Sequence, residues 1–285
     1  MVSFSLAGSG KTAEAASETE VTEEQIFVPV DWVAEVVADQ VPGYEDAIIA
    51  EASWGPVDQN EPYQTAHIPG AIHIDTDSVE DYDKYNIFPF EVLSENLAGY
   101  GITADTPLIV YGDDPSAASR VVLAASYAGV KNVKLMNGNM STWTDAGNET
   151  EEGIVEPVAA EAFGAEEAAH PEYLISCADV REKIDSDENF RLVSIRSTEE
   201  FEGLTSGYSY IDYAGEPKGA VWGHAGVDPY DMSDYVNEDG TFVDYETVVS
   251  YMDEAGVSQE NETAFYCGTG WRACVPFLIL KDNGW

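Results

Sequence analysis

The chain has 285 residues, 44% of them apolar and 11% aromatic, enough to bury ordinary cores and suited to two domains. Its 12 basic residues stand against 54 acidic ones, a net charge of −42, so duplex nucleic acid and anionic membrane surfaces would be repelled and nucleic-acid binding is set aside. The apolar runs are too short to span a membrane, and three cysteines (Cys177, Cys267 and Cys274) cannot make a fully paired disulfide framework.

Residues 1–25 are small, polar and acidic and read as a disordered leader. Its "SLAGSG" is similar to a bacterial lipoprotein cleavage box with Ser9 where the lipidated cysteine would be, although the apolar stretch before it is short for a signal. Leader and acidic surface together point to an exported, extracytoplasmic protein, lipid-anchored in its native form. An ordinary chain start on a cytoplasmic protein is the alternative.

A first unit follows over residues 26–147. A helix from Asp31 leads to a short buried strand (47–52), a Gly-Ala strand (70–74), the helix "EVLSENLAGYG" and another buried strand (107–111). A loop and a third helix come next, then a further strand, turn and short helix in "VKNVKLMNGNMSTWTDAG". Residues 135–180 hold no Lys or Arg, and within them 148–170 is rich in Ala and Glu and reads as a linker with a helical turn. The second unit, 171–285, begins with a helix capped by Ser176 with Asp179 three residues on. Strands at 191–196 and 219–222, the helix "YETVVSYMDEAG", a strand at 263–266, a loop and a last helix follow.

The two units are one unit written twice. Without a gap, Tyr111 falls on Tyr266, Gly112 on Cys267 and Gly129 on Gly284. Upstream, "HIPGAIHID" (67–75) pairs with "EPKGAVWGH" (216–224), and "AIIAEASW" (47–54) with "RLVSIRST" (191–198). Short apolar strands alternating with helices predict an α/β fold: two domains, each a parallel sheet sandwiched between helices. The second repeat stops before any counterpart of residues 131–147, so its sheet is expected to lack the C-terminal strand.

The stretch "AFYCGTGWRACVPF" (264–277) puts Cys267 at the carboxyl end of a predicted parallel strand, where ligands bind on such sheets. A helix beginning near Arg272 turns its unpaired N–H groups towards the loop. Gly268 and Gly270 give the backbone freedom to fold amides inward as a cradle. The amides, the helix dipole and Arg272 then favour a thiolate at Cys267 and hold an anion brought to it. This is a poised nucleophile.

These residues resemble the rhodanese family of sulfurtransferases, over roughly 26–147 and 171–285. "HIPGA" looks like the family's structural signature, "CGTGWR" like its active-site loop, and the second half especially resembles bacterial exported multi-rhodanese proteins. The resemblance implies two rhodanese-like domains and a Cys267 persulfide, fed by a small anionic donor (thiosulfate or 3-mercaptopyruvate) and drained by a thiol, cyanide or a thioredoxin-like protein. It implies no metal or other cofactor. Gly268, Thr269, Gly270, Trp271 and Arg272 would form the substrate cradle, with Arg272 near the donor's charge. Related phosphatases and arsenate reductases place five residues between cysteine and arginine; four stand here, which favours sulfur transfer. "CGTG" is closer to the mercaptopyruvate-using type, although Arg272 departs from that pattern.

The first unit reads as catalytically empty, with Gly112 and Ala117 in place of Cys267 and Arg272, and Asp113 and Asp114 in place of the cradle. Arg196 either binds a donor carboxylate or pairs with Glu199 or Glu200. His224 and Lys218 are weaker candidates, and His67 is expected to hold the "HIPGA" turn. Cys274 and Cys177 read as structural, and the Tyr and Trp residues as packing. The competing functions are a non-catalytic binding or scaffold protein on the same fold, and a cysteine phosphatase.

Overall fold

Two parallel sheets carry the fold in the computed structural model, which describes residues 21–285. The first unit runs β1 (Phe27–Val28), α1 (Val30–Val37), β2 (Ile48–Ser53), α2 (Glu61–Thr65), β3 (Ile72–Asp75), the hairpin β4 (Glu80–Asp81) and β5 (Asn86–Ile87), α3 (Phe90–Gly99), β6 (Leu108–Tyr111), α4 (Pro115–Ala128), β7 (Val133–Met136) and α5 (Met140–Asp145). Its main sheet has the order β1-β7-β6-β2-β3, all parallel. β6 and β7 are buried on both faces, as covered parallel strands must be.

The second unit runs α6 (Cys177–Ser186), β8 (Phe190–Ser194), α7 (Thr198–Phe201), β9 (Val221–Trp222), α8 (Tyr245–Glu254), β10 (Glu262–Tyr266) and α9 (Trp271–Asp282). Its parallel sheet has the order β10-β8-β9, and among the described residues no strand pairs beyond β10. No helix among the described residues is long and apolar enough to cross a membrane.

The sheet registers correct the repeat alignment by one residue. Glu51 pairs with Tyr111, and Ser194 with Tyr266, so Glu51 and not Ala50 is the counterpart of Ser194. A one-residue slip in a strand moves every side chain to the other face, and the apolar runs here, buried on both sides, gave the sequence no alternation to fix it.

Residues 1–20, with Ser9, lie outside the described residues. The remainder of the expected disordered leader, 21–25, is ordered. The buried ammonium of Lys134 donates to the carbonyls of Thr22, Glu23 and Gln25 at 2.6–2.8 Å. Burial pulls that ammonium down to about 8, with Asp282 and Glu23 opposing the shift. The linker also differs from its expected form. Residues 148–170 contain no helix and lie against the first unit as a strap: Glu151 bridges to His67, Ala160 donates to the carbonyl of Ala98, and Phe163 is buried beside Phe90. Ala-rich composition favours helix only weakly when backbone groups find partners elsewhere.

The units share one core. α4 and α9, the helices that follow the two equivalent loops, pack side by side, with Val121 and Ala125 in the same cluster as Val275, Leu278 and Ile279. Asp282 at the end of α9 accepts from the amides of Ile26 and Phe27, and Phe242 donates its amide to Asn137 at 2.7 Å. The cysteine loop therefore opens onto the boundary between the units.

Candidate active site

A loop joins the end of β10 to α9 through Cys267 and Gly270, and its two glycines serve different ends. Gly270 sits at the N-cap of α9 with φ +94°, a backbone that L side chains resist, and its amide donates to Cys267 Sγ at 3.1 Å. Gly268 is needed for space: a Cβ there would overlap the Tyr208 ring, standing 2.7 Å from Cδ2 and 2.8 Å from Cζ. The α9 N-terminus has no side-chain cap, so its first amides face the loop. Cys267 is half-buried, whereas Cys274 one turn into α9 is fully buried, donates to the Gly270 carbonyl at 3.1 Å, and is pushed up to about 11 by burial, with Arg120 opposing. Cys177 is exposed at the start of α6.

The arginines are arranged otherwise than the sequence suggested. Arg272, 2% exposed, gives Nη1 and Nη2 to the two oxygens of Glu200 at 3.0 Å each, and Nη2 also reaches the Tyr208 hydroxyl at 3.2 Å. Its buried Nε has no hydrogen-bond partner. Its charge is thus matched by a carboxylate, and its first task is to fasten the start of α9 to α7. Arg196 does not reach the cleft. Its Nε meets Glu200 at 3.1 Å, Nη1 meets Glu216 and the Gly215 carbonyl, and Nη2 meets the Ser206 carbonyl. With every nitrogen engaged, it is a structural clamp and not a donor-binding group. Glu200 accepts from both arginines and from the Ser197 amide; burial raises its pKa, but the hydrogen bond and charge of Arg272 outweigh that, and the net shift is downward. His224 stacks between Trp222 and Tyr251, Lys218 pairs with Asp185 at the surface, and neither lines the cleft. His67 is buried in the turn as expected, on the Tyr63 carbonyl at 2.9 Å.

A cleft of about 330 Å³ opens over the loop, with Thr269, Trp271 and Arg272 on its lining. Aromatic side chains wall it: Trp54 and Tyr85 from the first unit, Tyr208, Tyr210 and Tyr230 from the second. Tyr208 stacks on Tyr210 (5.3 Å) and meets Tyr230 edge-on (5.8 Å), and Tyr85 stacks on Tyr210 across the boundary (5.9 Å). Burial, and after it the charge of Cys267, pushes the Tyr208 phenol up, so it stays protonated and donates to the Pro229 carbonyl. Sequence reading assigned these rings to packing. They lie in segments without helix or strand periodicity, and only the chain's path brings them together. Glu80 and Arg120 were missed as well. Both are buried, and they meet at 2.8 Å beside the loop, where Glu80 also accepts from the Trp271 indole at 2.5 Å.

The equivalent place in the first unit is closed. Asp114 caps α4 with its own carboxylate, accepting from the amides of Ser116 (2.8 Å) and Ala117 (3.4 Å). The helix N-terminus that would hold an anion already holds one. At Gly112, a Cβ would stand 2.5 Å from the Ala52 carbonyl, so no nucleophile fits there.

Fold and site together define a duplicated α/β protein with one thiol-cradling loop. The chain carries a rhodanese-like domain: the profile of that domain matches residues 50–146, within the first unit. The thiosulfate sulfurtransferase YnjE of Escherichia coli is 42% identical over 238 residues, 83% of this chain and 54% of that protein. The crystal structure of YnjE superposes with a TM-score of 0.84 at 39% identity, over 92% of this chain and 63% of that one. An anaerobic ergothioneine biosynthesis enzyme from Chlorobium limicola, solved with its natural substrate trimethyl histidine, superposes with a TM-score of 0.83 at 32% identity, over 91% and 64%. The chain thus spans less than two-thirds of the length of these relatives.

Proposed function

We propose that the chain is a sulfurtransferase that carries sulfane sulfur on Cys267. The observation that carries this reading is Cys267 Sγ resting 3.1 Å from the Gly270 amide, at the uncapped start of α9 and beneath an open cleft. With thiosulfate as donor, the thiolate attacks the outer sulfur, the S–S bond breaks, and sulfite leaves with the electron pair. With 3-mercaptopyruvate, the C–S bond breaks and pyruvate leaves as its enolate. The persulfide's terminal sulfur then takes the place of the donor's charge, stabilised by the same amides. A thiophilic acceptor (cyanide, a small thiol or a thioredoxin-like protein) attacks that sulfur and frees the thiolate. Cys267 is the carrier, and Gly268, Thr269, Gly270 and Trp271 form the cradle. Arg272 holds it in shape through Glu200. Intact mass after incubation with thiosulfate or mercaptopyruvate tests this: one added sulfur atom, removed by cyanide or dithiothreitol, is expected. A mass that stays unchanged with both donors would favour the binding-module reading.

A second reading concerns the acceptor. Six aromatic rings and the Asp114 carboxylate line the cleft, a wall suited to an organic cation, which the ring faces attract. The Chlorobium limicola enzyme was solved with such a molecule, trimethyl histidine. Calorimetric titration with trimethyl histidine against histidine decides it. Preference for the methylated compound, lost in Tyr230→Ala, is expected; equal or absent binding of both removes this reading and leaves the first intact.

A further inference from the structure

We propose that the first repeat, although its own loop is closed, acts on the reaction through Glu80 and Arg120, which position the Cys267 loop from across the domain boundary. The inference rests on the sulfur-transfer reading above but concerns residues of the other unit.

The geometry forms a continuous path. Glu80 lies on the β4–β5 hairpin, 1% exposed, and divides its two oxygens between units: Oε2 accepts from Arg120 Nε at 2.8 Å, Oε1 from Trp271 Nε1 at 2.5 Å. Trp271 is the first residue of α9 and the last before Arg272, so the indole hydrogen bond pins the rim of the cradle. Arg120 sits on α4, 6% exposed, and its Nη2 donates to the Tyr85 carbonyl at 2.6 Å. Its Nη1 contacts Cys274 Sγ at 3.9 Å and stands 3.0 Å from where a Cβ on Gly270 would lie. A guanidinium from the first unit is therefore packed against the one residue whose amide donates to Cys267. Any other residue at 270 would strain the backbone and crowd that group. Tyr85 closes the path, since its carbonyl holds Arg120 while its ring stacks on Tyr210 in the cleft wall.

Such an arrangement has a physical motive. A glycine-rich loop is floppy by itself, because glycine loses the most conformational freedom on ordering. The uncapped start of α9 cannot supply the rigidity. Buried charge-assisted hydrogen bonds can, and they cost least when both partners are paired, as Glu80 and Arg120 are. The consequence is that loop order, and with it the amide aimed at Cys267, depends on the two units staying docked.

The test uses the full chain with Trp271→Phe, which keeps the ring and removes the indole donor, and Arg120→Met, which keeps bulk and removes the charge. Two quantities are read: kcat and KM for sulfur transfer from thiosulfate, and the second-order rate of Cys267 alkylation by iodoacetamide at neutral pH, followed by peptide mass. Expected is a fall in kcat of about tenfold or more in each, equivalent to roughly 1.4 kcal/mol of transition-state stabilisation, with KM changed little. Cys267 alkylation should slow as well. The double variant should be little worse than the poorer single one, because both break one path. Variants that lower Tm yet keep the parent's kcat and alkylation rate would show that the pair only glues the units, and would overturn the proposal. Arg120→Met leaves Glu80 unpaired and could unfold the chain; Trp271→Phe leaves the ion pair intact, and parental rates in that variant alone are enough to overturn the role of the Glu80 contact. If the parent takes no sulfur from any donor, the functional reading fails, while the alkylation comparison still decides the positioning role.

Discussion

Gly268→Ala places one methyl group beneath the Tyr208 ring, overlapping Cε2 and lying 2.7 Å from Cδ2. Two responses are open to the molecule. The ring can stay, and the crowding costs about 1–3 kcal/mol, the usual penalty of overpacking. Or the ring can swing out, giving up its hydrogen bonds to Arg272 and the Pro229 carbonyl and its stacking on Tyr210. The bond to the charged partner alone is worth about 1.5–3 kcal/mol, so the two routes cost alike. If that cost falls on the loop during sulfur transfer, kcat/KM drops by roughly fivefold to 150-fold, at about 1.4 kcal/mol per decade. The assay is initial rate with thiosulfate against urea unfolding of the same preparation. Coupling is read by adding Tyr208→Ala, which removes the clash: the second substitution should cost the Gly268→Ala background much less than it costs the parent. Activity of Gly268→Ala within about twofold of the parent, or strict additivity of the two changes, would refute the account of Gly268 as a space-making glycine.

Three further outcomes follow from the same geometry. Cys267→Ser should abolish persulfide formation without changing the unfolding midpoint, and sulfur still retained in intact mass would move the carrier role to Cys274 or Cys177. Glu200→Gln leaves two buried guanidinium groups without their shared anion and should destabilise the fold by about 3–5 kcal/mol, seen as a large drop in Tm. Because the Glu200 pKa is lowered in the folded state, its contribution is complete above the unfolded value of about 4.3 and fades as pH falls through the folded value; the variant should lose that part of the acid dependence, measured by unfolding at pH 3–6. Gly112→Cys in a Cys267→Ser background should gain no persulfide, since the new Cβ meets the Ala52 carbonyl and Asp114 already fills the helix N-terminus; sulfur on residue 112 by peptide mass would show that neither barrier holds.

The α/β class and the rhodanese-like resemblance were legible because period and repeat express themselves locally: short apolar runs, turn glycines, and a second copy in the same order. The loop was legible for the same reason, since "CGTGWR" is contiguous. What stayed hidden depends on chain path. The Tyr208, Tyr210 and Tyr230 walls come from long irregular segments whose only sequence mark is aromatic content. The roles of Arg196 and Arg272 turned on one buried acceptor, Glu200, which local spacing offered for Arg196 at i+4 but could not offer for Arg272, 72 residues away. The linker misread has the same origin, for its Ala and Glu residues favour helix until the neighbouring unit supplies partners such as His67 and Ala98.

One signal in the sequence was strong enough to find the hidden half of the site. In a chain of net charge −42, only 12 basic residues remain, and among the described residues four of them (Arg120, Lys134, Arg196 and Arg272) are buried. A surface this acidic has no use for an isolated cation in an apolar segment, and an unpaired buried one is costly. A cation kept inside "AASRVVLAAS" must therefore have a buried partner and a reason to face it. That reasoning leads from Arg120 to a carboxylate elsewhere in the chain, and the structure supplies Glu80, with the Trp271 indole on its other oxygen. The same logic assigns Arg196 and Arg272 to Glu200, and Lys134 to the carbonyls of residues 22, 23 and 25. Arg120, Lys134 and Arg272 each tie distant pieces of chain together, and two of these, Arg120 and Arg272, fasten the side of the Cys267 loop that leads into α9. In this protein the rare positive charges mark where the fold is fastened, and the cysteine loop runs into two of the fastenings.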